Sequence, residues 1–177
     1  MNTSIKKKIS LLLIGVGLLF AVFILVLKPM SQKLTPVEEI LNKKNIFGFK
    51  TEKTSLNKDY YIFNFWASWC PPCIEETPSL IRFVLKNSDK YHLFAISQDS
   101  STKDIEDFIK TFPNMKNSHT EIIWDDNRNL AQQLNIFKLP ETLIYSTKTK
   151  KFLKISGATN WESPGFEDYV INYFINN

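Results

Sequence analysis

Only two cysteines occur among the 177 residues, which excludes a scaffold stapled by several disulfides. No second cysteine pair follows them, so the four ligands of a structural zinc site are not available by motif. No GxGxxG stretch exists, nothing reads as a nicotinamide or flavin site, and neither a cofactor nor a bound metal is expected. Residues 1–33 lack any acid yet hold five lysines: Lys6, Lys7, Lys8, Lys28 and Lys33. The formal charge of +4 therefore belongs to the N-terminus, because residues 34–177 carry 17 basic and 18 acidic side chains. Without a clustered basic face, no nucleic-acid partner is expected. Repeats and low-complexity tracts are also missing. With 44% hydrophobic and 14% aromatic residues, the bulk of the chain can bury a core and is not disordered.

One long apolar run is present. From Ile9 to Leu27 there are 19 uncharged residues, nearly all Leu, Ile, Val, Phe or Gly. A helix of that length covers about the 30 Å hydrocarbon layer of a bilayer. Lys6–Lys8 precede it, as the positive-inside tendency places a cytoplasmic flank. A cleaved signal peptide has an apolar stretch of about 7–15 residues and a small-x-small site. This run is longer and ends in Leu27-Lys28-Pro29-Met30, without such a site. The expectation is a cytoplasmic N-terminus at 1–8, an uncleaved transmembrane signal-anchor at 9–27, a linker with a possible short helix at 28–45, and an extracytoplasmic globular domain at 46–177. In a bacterium with two membranes that is a single-pass inner-membrane protein with its domain in the periplasm.

Within the domain, Tyr60–Trp66 and His92–Ser97 are short apolar runs of the kind that form central parallel strands. A helix is predicted from about Pro72 to Lys86, with Leu80, Ile81, Val84 and Leu85 as its apolar stripe and a kink at Pro78. Ser101 and Asp104 open another, with Ile105, Phe108, Ile109 and Phe112 on one face. Glu121–Trp124 reads as a strand, Asp126–Asn135 as a short helix, and Thr142–Tyr145 with Phe152–Ile155 as a hairpin turning at Ser146–Lys151. Phe166–Ile175 closes the chain as a helix presenting Phe166, Val170, Tyr173 and Phe174. Strands alternating with helices and ending in hairpin plus helix indicate an α/β sheet covered on both faces.

Cys70-Pro71-Pro72-Cys73 follows directly from the first strand. Two cysteines at this spacing can close a small ring with little backbone movement. A helix beginning near Pro72 places Cys70 just ahead of its positive N-terminus, which favours the attacking thiolate, and Cys73 one turn in as the resolving thiol. Pro71 and Pro72 offer no backbone N–H to either sulfur, so the thiolate is stabilised less than in a loop with free amides. A static disulfide contributes little when it closes so short a loop, and His92 and His119 read as ordinary surface or strand-edge histidines. Redox chemistry is the reading a CxxC supports in a βα context.

"FNFWASWCPPC", then Glu76 and Pro78, then "LPET" at 139–142 resemble the membrane-anchored thioredoxin-like thiol-disulfide oxidoreductases of the TlpA/ResA/DsbE (CcmG) group. The resemblance covers about residues 46–177. It implies a thioredoxin-like α/β fold with a central insert. Pro140 then matches the cis-proline facing the active disulfide, with the backbone of Leu139 bared to a substrate strand; Trp69, Pro71 and Pro72 border the same site. Glu76 matches the family's active-site glutamate, although an acid in a first helical turn is favoured by the dipole in any case; Glu75 has no match. Asn64 stands where cytosolic thioredoxins carry a buried aspartate, so proton traffic is expected to pass to Glu76. Trp161, in "GATNWESP", resembles a C-terminal family signature and is read as packing. Lys138 departs from the small residue common two places before the cis-proline.

The implied function is reduction of specific partner disulfides, with apocytochrome c or its maturation factors as the substrate class and a membrane thiol donor upstream. The same chemistry reversed makes a thiol oxidase, since direction depends on the partner's potential. A thioredoxin-like copper chaperone is a second class, requiring a third ligand beside the cysteines, and a structural adaptor with a vestigial CxxC is a third.

Overall fold

The computed structural model describes residues 57–176. The expected anchor helix at 9–27 and the linker and short helix through residue 45 lie outside these residues. Among the described residues no helix is long and apolar enough to cross a membrane.

Five strands form one mixed sheet: β1 Tyr60–Trp66, β2 Tyr91–Ser97, β3 Thr120–Trp124, β4 Glu141–Ser146 and β5 Phe152–Ser156. Their order is β3-β2-β1-β4-β5. β1, β2 and β3 run parallel, whereas β4 and β5 add antiparallel on the other side. The helices among the described residues are α1 Pro71–Lys86, α2 Thr102–Thr111, α3 Asn129–Gln133 and α4 Phe166–Asn176. In the middle of the chain, where the resemblance implies an insert, α2, a 3-10 turn at Pro113–Met115 and β3 extend the parallel edge.

Side chains alternate across β1 with the period of a strand and divide the core in two. Ile62 and Trp66 join Leu80, Ile81, Phe83 and Val84 of α1, Ile105 and Phe108 of α2, and Val170 and Phe174 of α4. Tyr61, Phe63 and Phe65 join Phe94, Ile123, Leu130 and Leu143 in the second core. Asn64 shares the parity of Ile62 and Trp66, so a polar side chain is set into the core that α1 covers.

The structure corrects three expectations. Leu85 is exposed and Phe83 is buried in its place; residues 83–85 are all apolar, so the pattern leaves the edge of the stripe undecided. The helix expected over 126–135 is only Asn129–Gln133, because Arg128 adopts a left-handed φ of 56° and the Asp125 carboxylate caps the amides of Leu130 and Ala131. His92 is not a surface histidine but a buried one in β2, with Nε2 at 3.2 Å from Glu121 Oε1.

Candidate active site

β1 ends at Trp66 and α1 begins at Pro71, leaving four residues to turn the chain. Cys70 is the N-cap, in an extended conformation. Its Sγ accepts the Cys73 N–H at 3.3 Å, and its carbonyl accepts the amides of Cys73 and Ile74 at 3.0 and 3.1 Å. Proline is favoured in the first helical turn, where the missing N–H has no helical partner, so Pro71-Pro72 starts the helix and also empties the two positions ahead of Cys73 of donors. Cys70 and Cys73 are joined as a disulfide, with Cα atoms 5.3 Å apart. Cys70 is 4% exposed and Cys73 fully buried. Trp69 beside them is 66% exposed, Pro71 is exposed and Pro72 half-buried. The Leu139–Pro140 bond is cis; Leu139 is half-buried against both cores, Pro140 is buried, and Lys138 is exposed.

Glu76 is not a solvated first-turn acid. It lies in the second turn of α1, 4% exposed. Asn64 Nδ2 donates to its Oε1 at 2.9 Å; the Thr159 amide and, at a longer 3.5 Å, Trp161 Nε1 donate to its Oε2. Burial raises the Glu76 carboxyl above its ordinary value, and the bonds from Thr159, Asn64 and Trp161 oppose that rise. Neighbouring Glu75 is exposed. Trp161 does pack, against Phe83 and Phe166 with ring centroids at 5.7 and 5.1 Å, but it also serves the carboxylate. Thr142, whose Oγ1 accepts the other Asn64 amide hydrogen at 2.9 Å, and Thr159 were not singled out in the sequence. Thr159 lies 83 residues from Glu76, and no local pattern connects them.

A copper or zinc site would recruit further ligands to the cysteines. Among the described residues no three His, Cys, Asp or Glu side chains gather in a metal-binding arrangement.

A mixed sheet, a CxxC disulfide at the start of the helix after its central strand, and a buried cis-proline define a thioredoxin-like fold carrying a dithiol/disulfide site. The chain belongs to the AhpC/TSA family, whose model matches residues 40–150. It is 27% identical over 108 residues to the thioredoxin-like protein YneN of Bacillus subtilis, covering 59% of this chain and 61% of that one. It is 32% identical over 95 residues to the sporulation thiol-disulfide oxidoreductase A of the same organism, covering 49% and 53%. The chain thus spans between 53% and 61% of the length of these two curated relatives. The crystal structure of StoA from Bacillus subtilis is similar at a TM-score of 0.55 and 26% identity, covering 68% of this chain and 89% of that one. A secreted Mycobacterium tuberculosis disulfide oxidoreductase homologous to DsbE shares the fold at a TM-score of 0.58 and 18% identity, covering 78% and 98%.

Proposed function

We propose that the protein is a thiol–disulfide oxidoreductase that reduces disulfides of partner proteins on the outer face of a cytoplasmic membrane. The observation that carries this reading is the Cys70–Cys73 disulfide at the N-terminus of α1, followed one turn on by the buried Glu76. In the reduced protein the Cys70 thiolate attacks a substrate disulfide and forms a mixed disulfide, and the leaving sulfur takes a proton. Cys73 then loses its proton, attacks Cys70 Sγ and releases the second substrate thiol, so two electrons pass to the substrate and the ring closes. Glu76, three residues past Cys73, is the buried acid of α1, whereas Glu75 is exposed and Asn64 cannot exchange a proton; the carboxylate accepts the Cys73 proton. A membrane dithiol donor restores the reduced state.

Two features favour the reducing direction. The prolines withhold N–H groups from the Cys70 sulfur, and a buried carboxylate three residues past Cys73 on the same helix disfavours a thiolate. Both weaken the reduced state relative to the disulfide, the opposite of a strong oxidant, whose reduced form is stabilised. Equilibration of the Cys70–Cys73 couple with a dithiol buffer should give a potential at or below about −270 mV, the region of thioredoxin; a value near about −120 mV would make the protein an oxidase. Apocytochrome c or its maturation factors are the substrates the resemblance implies. The uncharged run from Ile9 to Leu27 behind Lys6–Lys8 supports the anchored, extracytoplasmic placement. Protease added to intact spheroplasts should remove the globular domain, and its protection would reject that placement.

A further inference from the structure

Backbone groups withdrawn from water need partners, and the half-buried turn between β1 and Cys70 finds them unevenly. The Trp66 carbonyl accepts the Gln98 amide at 2.8 Å, and the Ala67 carbonyl accepts the Cys70 amide at 3.2 Å. The Ser68 amide instead donates to a side chain, the Asp99 carboxylate, at 3.0 Å to Oδ1 and 3.2 Å to Oδ2. Ser68 Oγ donates to the same Oδ1 at 2.8 Å. Asp99, 2% exposed, follows the end of β2, where Ser97 Oγ donates to its Oδ2 at 2.7 Å and accepts its amide at 3.0 Å. Its carbonyl takes the indole N–H of Trp124, the last residue of β3, at 2.8 Å. A buried carboxylate held by Ser97 of β2, on a backbone held by Trp124 of β3, therefore grips the residue two places before the attacking cysteine through charge-assisted bonds.

We propose that Asp99 is a positioning residue for Cys70, acting through Ser68; the role rests on the oxidoreductase reading above. Because residues 71 and 72 are prolines, the Cys73 amide, 3.3 Å away, is the donor that meets Cys70 Sγ. With a single such donor, a small shift of residue 70 loses the contact and misaligns the sulfur. A carboxylate suits the task because it accepts from the Ser68 amide, the Ser68 hydroxyl and the Ser97 hydroxyl together, which a single amide oxygen cannot do as well.

The test uses the purified full-length chain, reduced, with oxidised glutathione as the disulfide. Thiolate absorbance against pH gives the Cys70 titration, stopped flow gives the attack rate per thiolate, and urea unfolding gives stability. Ser68→Ala keeps the Asp99 charge and removes one bond from the half-buried loop; the expected result is a Cys70 pKa shifted upward and a rate per thiolate lowered about tenfold, the scale of a sub-ångström misplacement. Ser68→Thr retains the hydroxyl and should restore both. Asp99→Asn removes a negative charge, which by electrostatics alone would lower the Cys70 pKa and with it, modestly, the rate per thiolate. A Cys70 pKa that is raised or unmoved together with a slower attack therefore points to geometry. Wild-type titration and rate in Ser68→Ala and Asp99→Asn, with only stability reduced, would overturn the positioning role while leaving the oxidoreductase reading intact. A wild-type chain that exchanges with no disulfide overturns that reading and the positioning role together.

Discussion

Asn64 Nδ2 donates to Glu76 Oε1 at 2.9 Å, and through this bond the central strand β1 holds the second turn of α1. Every partner of the Glu76 carboxylate is a donor: Asn64, Thr159 and Trp161. In Glu76→Gln the new oxygen can keep Thr159 and Trp161 while the Asn64 amide turns over to accept from the new –NH2, with the Thr142 hydroxyl donating in return. The expected loss of stability is therefore within about 1 kcal/mol, whereas Glu76→Ala orphans buried donors and loses about 1–3 kcal/mol. Urea denaturation midpoints separate the two. Both variants should lower the cysteine pKa values and slow resolution of the mixed disulfide, as read by thiolate absorbance and stopped flow. Unchanged titration and resolution in Glu76→Gln would reduce Glu76 to a structural acceptor.

The same pair makes stability pH-dependent. Burial raises the Glu76 carboxyl in the folded chain, so between its unfolded and folded values the native state holds a proton that the unfolded state has released. The stability linked to that proton is complete below the unfolded value and is lost as pH rises through the folded one. Asn64→Asp would set a second carboxyl at 2.9 Å from the first and raise the pair further by like-charge repulsion. Relative to wild type, the variant should lose about 1.4 kcal/mol for each added unit of pKa as pH rises from about 4 to about 8. Chemical denaturation at several pH values checks the slope; a constant difference across the range contradicts it.

Trp161→Phe removes one donor that opposes the rise of the Glu76 carboxyl and leaves a smaller ring between Phe83 and Phe166. Mixed-disulfide resolution should shift its midpoint to higher pH. Stability should fall by about 1–2 kcal/mol, chiefly from lost packing, since the bond is long at 3.5 Å. An unshifted profile would leave Trp161 a packing residue alone.

What the sequence made legible follows from which forces act locally. The strand expected at Tyr60–Trp66 is β1 with the same ends, because a central strand buried on both faces leaves a continuous apolar run. The start of α1 was readable from its prolines, and Ser101 does cap α2 by accepting the Asp104 amide. The surroundings of Glu76 were not, because Thr142 and Thr159 reach the site only through tertiary folding, 78 and 83 residues from their partners. The burial of His92 is hidden from the sequence for a related reason: every residue of β2 is buried, so no alternation distinguishes the histidine from the apolar residues beside it. Asp99 likewise carries no local sign of its grip on Ser68, 31 residues upstream.

The two sulfurs should behave unequally in trapping experiments. Cys70 caps α1 with its Sγ on the Cys73 amide, retains 4% exposure and follows the exposed Trp69; Cys73 is closed off entirely. A substrate disulfide can therefore be attacked at the helix start by Cys70, where the positive end of the helix favours its thiolate. Cys73 reaches only the neighbouring sulfur. Cys73→Ser should accumulate partner proteins in mixed disulfides on non-reducing gels, while Cys70→Ser accumulates few or none. Alkylation of the reduced wild-type chain should mark Cys70 first, and mass spectrometry of the modified peptide identifies the site. Equal trapping by the two variants, or alkylation that favours Cys73, would show that the attacking and resolving roles have been assigned to the wrong sulfurs.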